Sequence, residues 1–211
     1  MLVTIRGLLG SGAPEIGQDV ARLIGGDYVD KKVLEEIAEL TEQPLEEVQK
    51  QERVSPRVLD RILEAFSGAA EKLNAPRNGY GKVWKEGPPD EKYLEALKMV
   101  IESLSVEDNI VIQGRGSQFI LKNFPSALHV LITAPLHVRI ARVMTSQQLD
   151  KDTARKLIKE QDEVRRFFIR KFFKRDIQNP DNYDIVINTN RMDYSEAASI
   201  IAFGAKAKKT W

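Results

Sequence analysis

Short apolar blocks alternate with longer stretches of helical period along this chain. Leu2-Val3-Thr4-Ile5 reads as a buried strand, followed at once by a glycine-rich turn, Gly7-Leu8-Leu9-Gly10-Ser11-Gly12. Residues 14–24 have helical period, with Pro14 suited to a first helical turn and Gly25-Gly26 ending it. Residues 27–30 predict a second strand and 31–40 a further helix. Residues 109–113 and 127–133 are strand patterns, the first ending at Gly114-Arg115-Gly116 and the second at Ala134-Pro135. Residues 138–144 and 150–175 predict helices and 183–188 a last strand. Asp193 and Glu196 make a D-x-x-E cap for a helix over 194–205.

Strands of four to seven residues separated by helices imply an α/β fold whose parallel sheet is covered on both faces. A length of 211 residues suits one domain over 1–211. The stretch 42–105 differs in texture. It is charged and mostly helical, broken at Pro44, Pro56 and Pro76, and reads as an insert. Residues 77–90, rich in Gly, Pro and charge, are its candidate loop.

Charge narrows the functions to be considered. Lys and Arg total 32 against 31 Asp and Glu, which argues against a protein built to coat nucleic acid or an anionic membrane. Cysteine is absent, so disulfides, thiolate metal sites and a cysteine nucleophile are excluded. His129 lies in an apolar run and reads as a core residue, and His137 falls on a helix, which leaves no metal site to propose. No apolar run reaches the roughly 18 residues of a membrane helix, and residues 1–6 are too short for a signal peptide's apolar region. A cytoplasmic location is the default expectation.

Chemistry concentrates at the glycine turn. Glycines let the chain turn tightly and bring N–H groups close to phosphate oxygens, and the helix behind adds its positive end. Against the phosphate-loop pattern G-x-x-x-x-G-K-[ST], Gly7 and Gly12 have the right spacing, but Ala13 stands at the lysine and Pro14 at the Ser/Thr. The main chain of Gly7, Gly10, Ser11, Gly12 and Ala13 is the candidate phosphate cradle, and its cations must come from elsewhere. Arg115 leaves a strand at the same sheet edge. Arg139 and Arg142 share a helix face, and Arg165, Arg166 and Arg170 lie on the long helix. Asp30 suits either a ligand hydroxyl, a magnesium-bound water or a helix N-cap. Phe167, Phe168, Phe172 and Phe173 read as core rather than as a platform for nucleic-acid bases.

In this order the glycine loop, Tyr28-Val29-Asp30, Val111-Ile112-Gln113-Gly114-Arg115-Gly116, Leu131 to Pro135 with Arg139 and Arg142, Asp162-x-x-Arg165 and Val186-Ile187-Asn188-Thr189 resemble the cytidylate kinases. The resemblance is closer to the cytidylate kinase-like branch, whose loop also reads Gly-Ser-Gly without the lysine. It implies a three-layer P-loop nucleotide-kinase fold with a five-stranded parallel sheet and a mostly helical insert. It further implies ATP with Mg2+ as donor, CMP or dCMP as acceptor, and 145–178 as a lid-like segment. Asp30, Arg115 and Gly116 would then face the acceptor, and Arg115, Arg139, Arg165, Arg166 and Arg170 would serve catalysis. Gln113 replaces the usual acid before Gly-Arg. With Ala13 and Pro14, that departure motivates a second expectation, a nucleotide-binding regulatory or scaffold protein with impaired catalysis.

Overall fold

The central strand of the sheet, β1 (Leu2–Gly7), is buried along its whole length. The structure is a computed structural model and describes residues 1–30, 90–106 and 109–208. Four more strands complete the sheet: β2 (Asp27–Val29), β3 (Ile110–Gln113), β4 (Ala127–Thr133) and β5 (Ile185–Asn188). Their spatial order is β2-β3-β1-β4-β5 and every pairing is parallel. All the strand ends that follow β1, β3 and β4 therefore open on one edge, where ligands of such sheets bind.

Alternation along the strands sorts the core into two layers. Val3 and Ile5 of β1, Val111 of β3 and Leu128, Val130 and Ile132 of β4 pack with α1 (Ala13–Ile24) and α6 (Tyr194–Lys208). Leu2, Ile110, Ile112 and Ala127 face the other way. There they meet α2 (Asp90–Ser105), through Tyr93, Leu97 and Ile101, and α5 (Lys151–Phe173), through Phe168 and Ile169. The short helix α3 (Ser117–Ile120) follows β3, and α4 (Leu136–Gln147) follows β4 and packs against α5.

Local chemistry fixes the helix ends. Asp150 accepts from the amides of Asp152 and Thr153 at 3.0 Å each and starts α5. Asp193 and Glu196 cap α6 reciprocally, each carboxylate accepting the other residue's amide. Gly25, at φ 65°, returns its amide to the carbonyls of Ala21 and Arg22 and stops α1.

Phe168, Phe172 and Phe173 pack into the core beside Tyr93, as their spacing predicted, whereas Phe167 is only half-buried and joins no core cluster among the described residues. His129 is buried in β4, its Nδ1 2.8 Å from the Thr4 hydroxyl, and desolvation holds its pKa below the ordinary value. The last strand begins at Ile185 rather than 183, because Pro180–Asn182 form a 3-10 turn that takes the Tyr183 amide. The expected helix over 31–40 and residues 42–89 of the expected insert lie outside the described residues. Residues 90–105 of the insert are α2.

Candidate functional site

The turn between β1 and α1 has an unusual division of its hydrogen bonds. Every carbonyl oxygen from Gly7 to Gly12 is taken by a donor. Arg165 Nη1 reaches Gly7 O at 3.3 Å, the Ser11 amide reaches Leu8 O at 3.0 Å, and Arg139 Nη1 reaches Leu9 O at 3.2 Å. Arg142 Nη1 reaches Gly10 O at 3.3 Å, Thr189 Oγ1 donates to Ser11 O at 2.8 Å, and the Ile16 amide takes Gly12 O at 3.0 Å. The amides of Leu9, Gly10, Gly12 and Ala13 donate to no described group. A loop whose carbonyls are all engaged while four amides stay open is polarised to receive an anion.

The glycines make this shape possible. Gly10 and Gly12 have φ of 79° and 88°, a left-handed conformation costly for side-chain-bearing residues. A Cβ on Gly12 would lie 2.3 Å from the Tyr194 ring, and one on Gly10 would lie 2.8 Å from Arg139 O. The Ser11 hydroxyl is buried with no hydrogen-bond partner. Ala13 is buried, whereas Pro14 and Glu15 are exposed, so the proline and the carboxylate stand outside the cradle.

Three later segments supply the cations. Arg139 of α4 forms an ion pair with Asp162 of α5 at 2.7 Å, both side chains nearly buried, and so ties the two helices to Leu9. Arg142, one turn on, donates to Thr189 Oγ1 at 2.8 Å and Thr189 O at 2.7 Å and lies over the Tyr194 ring. Arg165, three residues after Asp162, occupies the α5 face that meets Gly7. Arg115 lies 3.7 Å from Asp30. It is itself left-handed at φ 57°, between Gly114 and Gly116 at 72° each. Such backbone strain, of order 1–3 kcal/mol for a side-chain-bearing residue, gathers at functional sites. Gly116 lets the Phe173 ring close on this bend, since a Cβ there would be 2.3 Å from the ring.

Thus the structure brings Gly7, Gly10, Ser11, Gly12, Ala13, Asp30, Arg115, Arg139 and Arg165 to one sheet edge. It does not bring Arg166 and Arg170 there: Arg166 pairs with Glu163 along its own helix at 2.8 Å, and Arg170 is exposed. Burial lowers the pKa of both Arg115 and Arg165, with Asp30 opposing it for Arg115 and Asp162 for Arg165. Gln113 Oε1 and the Tyr28 hydroxyl are buried without partners at the ends of β3 and β2.

Two participants escape sequence reading. Arg6 stands at the end of a buried strand, where a charge is the usual sign that the chain is surfacing, yet it is only 8% exposed. Tyr194 gives no signal beyond opening a helix, and the tie between Arg142 and Thr189 spans 47 residues.

An all-parallel five-stranded sheet with a phosphate-type glycine turn after its central strand defines an α/β P-loop kinase fold. The sequence profile of the cytidylate kinase-like family matches residues 2–191, and the chain belongs to that family. A cytidylate kinase of Thermoplasma acidophilum is 29% identical over 140 residues, spanning 65% of this chain and 72% of the relative. One of Thermoplasma volcanium is 23% identical over 204 residues, spanning 95% and 89%. Among solved structures, an uncharacterized protein from Eubacterium ventriosum superposes with a TM-score of 0.68 at 17% identity, covering 98% of this chain and 99% of that one. That likeness speaks to the fold alone. No helix among the described residues is long and apolar enough to cross a membrane.

Proposed function

We propose that this protein transfers the γ-phosphoryl group of ATP to a pyrimidine nucleoside monophosphate, CMP or dCMP. The observation that carries the reading is the loop's division of labour, with every carbonyl engaged and the amides of Leu9, Gly10, Gly12 and Ala13 open. The kinase names of the relatives support the donor and acceptor classes.

In this reaction an acceptor phosphate oxygen attacks the γ-phosphorus, the bond to the β-phosphate's bridging oxygen breaks, and a nucleoside diphosphate leaves on each side. The protein's task is to align the two nucleotides, offset the moving charge and exclude water. The open amides and the Ser11 hydroxyl would hold the donor's phosphates. Arg165, already on Gly7 O, would supply the cation that Ala13 does not. Asp30, Arg115 and Gly116 would face the acceptor. Arg139 would act through Asp162 by holding α5 in place, and Arg166 and Arg170 would bear on the reaction only if α5 moves as a lid. Pro14 and Gln113 do not suit a magnesium ion held by protein oxygens of the usual kind, so magnesium would enter on the nucleotide's phosphates.

The test is transfer from Mg-ATP to each nucleoside monophosphate in turn, followed as diphosphate product. Turnover highest with CMP or dCMP is expected; no product with any acceptor sinks the proposal. Ala13, Pro14 and Gln113 favour a second reading, a nucleotide-binding regulatory protein. Thermal stabilisation by ATP and CMP in the absence of transfer would support it.

A further inference from the structure

Arg6 is a charge inside the sheet that the reading above leaves unused. On β1 the side chains of Leu2, Thr4 and Arg6 share one face, while Val3, Ile5 and Gly7 share the other. Leu2 packs in the layer containing α5, so Arg6 stands on the α5 side, directly before the glycine turn. Its Nη2 is buried with no hydrogen-bond partner. Five N–H donors make a guanidinium the side chain least suited to that state, and an unpaired buried charge is strongly unfavourable. The titratable groups that act on it are Arg165, Tyr183, Asp162 and Arg115, in decreasing order after burial itself. The strongest of them, Arg165, is a like charge, and Asp162, which acts the other way, does not offset the burial.

We propose that Arg6 is a phosphate-binding residue: with Arg165 and Arg115 it forms a cationic well at the end of β1 that takes the phosphate monoester of the acceptor. This rests on the reading that the cleft holds a phosphorylated acceptor. The charge balance points to that group. Arg115 is paired with Asp30, and among the described residues Arg6, Arg139 and Arg165 stand with one carboxylate, Asp162, leaving a surplus of two positive charges. A phosphate monoester carries about −1.5 to −2 at neutral pH, whereas a phosphodiester or carboxylate carries about −1. Arg165 is shared between the two halves of the site, since its Nη1 holds Gly7 O while its charge faces Arg6. An anion between Arg6 and Arg165 would therefore lie beside the first residue of the donor loop, where an acceptor phosphate must be.

Calorimetric titration of the full chain with inorganic phosphate, CMP, cytidine and ATP tests this, comparing wild type with Arg6→Met and Arg6→Lys. Loss of charge-assisted bonds should weaken CMP and phosphate binding by roughly ten- to a hundredfold in Arg6→Met. Affinities for ATP and for cytidine should be unchanged. Arg6→Lys keeps the charge without the fork and should fall between. It also serves alone if Arg6→Met does not fold, and in that case unchanged CMP affinity overturns the proposal. Equal CMP affinity in wild type and Arg6→Met overturns it as well, as does a wild type that binds neither phosphate nor CMP. Arg6-dependent phosphate binding without any CMP binding would sustain the anion site while removing the nucleotide acceptor. CMP turnover indifferent to Arg6 would do the reverse.

Discussion

Arg165 Nη1 lies 3.3 Å from the carbonyl oxygen of Gly7, joining residues 158 positions apart. Gly7 opens the glycine turn, and Ala13 occupies the place of the lysine whose ammonium ordinarily serves such a turn. A guanidinium delivered by α5 thus stands at the turn's first residue. Replacing Arg165 with Met should lower turnover by roughly 10²–10³-fold, the scale of losing one preorganised charge-stabilising group. Arg165→Lys should recover part of it. Thermal unfolding of the variants should stay close to wild type, because Asp162 keeps its 2.7 Å ion pair with Arg139 when Arg165 is replaced. A wild-type rate in Arg165→Met would show that the contact is only architectural.

The pair Arg139–Asp162 behaves differently. Its side chains are 9% and 11% exposed, and it joins α4 to α5 while Arg139 also holds Leu9 O. Removing one partner leaves a buried charge uncompensated, so Arg139→Met or Asp162→Leu alone should cost about 3–5 kcal/mol in a denaturant titration. The double variant Arg139→Met/Asp162→Leu should regain most of that stability, since apolar replacement of a whole buried pair is often neutral. It should nevertheless transfer phosphate poorly, because Leu9 loses its guanidinium tie. Additive losses in the double-mutant cycle would show that the two residues do not act as a pair.

Gly12 and Tyr194 make a steric prediction. With φ at 88° and the ring 2.3 Å from the position of a Cβ, Gly12→Ala meets both backbone strain and a clash. Stability should fall by about 1–3 kcal/mol, and ATP affinity should fall with it as the Gly12 amide is displaced. Adding Tyr194→Ala should relieve the clash but not the left-handed strain, so recovery should be partial. Full recovery in both unfolding and ATP titration would assign the whole effect to the ring.

The sheet was legible because its strands are apolar on both faces, as in Leu2-Val3-Thr4-Ile5 and residues 127–133, and glycine turns mark their ends. The site was legible only as a set of candidates. Arg139 and Arg142 share a helix face by spacing, yet the fold sends one to Asp162 and the other to Thr189. Arg165 and Arg166 are adjacent, and only helix rotation decides that Arg165 meets Gly7 while Arg166 meets Glu163. Such choices depend on where α5 crosses the sheet edge, which local periodicity does not encode. Arg6 is the extreme case, because nothing in a six-residue strand distinguishes a buried terminal arginine from one reaching solvent.

Arg6 also carries a stability prediction whose sign separates a ligand-binding role from a structural one. Burial, reinforced by Arg165, lowers its pKa from the ordinary arginine range to about 9. At neutral pH the folded and unfolded chains are both protonated there, so the folded state bears the cost of an unpaired buried charge. From about pH 9 up to the ordinary arginine range the unfolded chain binds the extra proton, and stability contributed at this site rises with pH. Removing the charge should give that gain at once: Arg6→Met should be more stable than wild type at pH 7 by about 1–3 kcal/mol. The difference should narrow as pH climbs through the window, with Tyr183, pushed up to about 12, still neutral over most of it. Denaturant titrations at pH 7 and pH 10 measure both quantities. A variant less stable than wild type at pH 7 would make Arg6 a prop of the fold, held by contacts worth more than its desolvation costs.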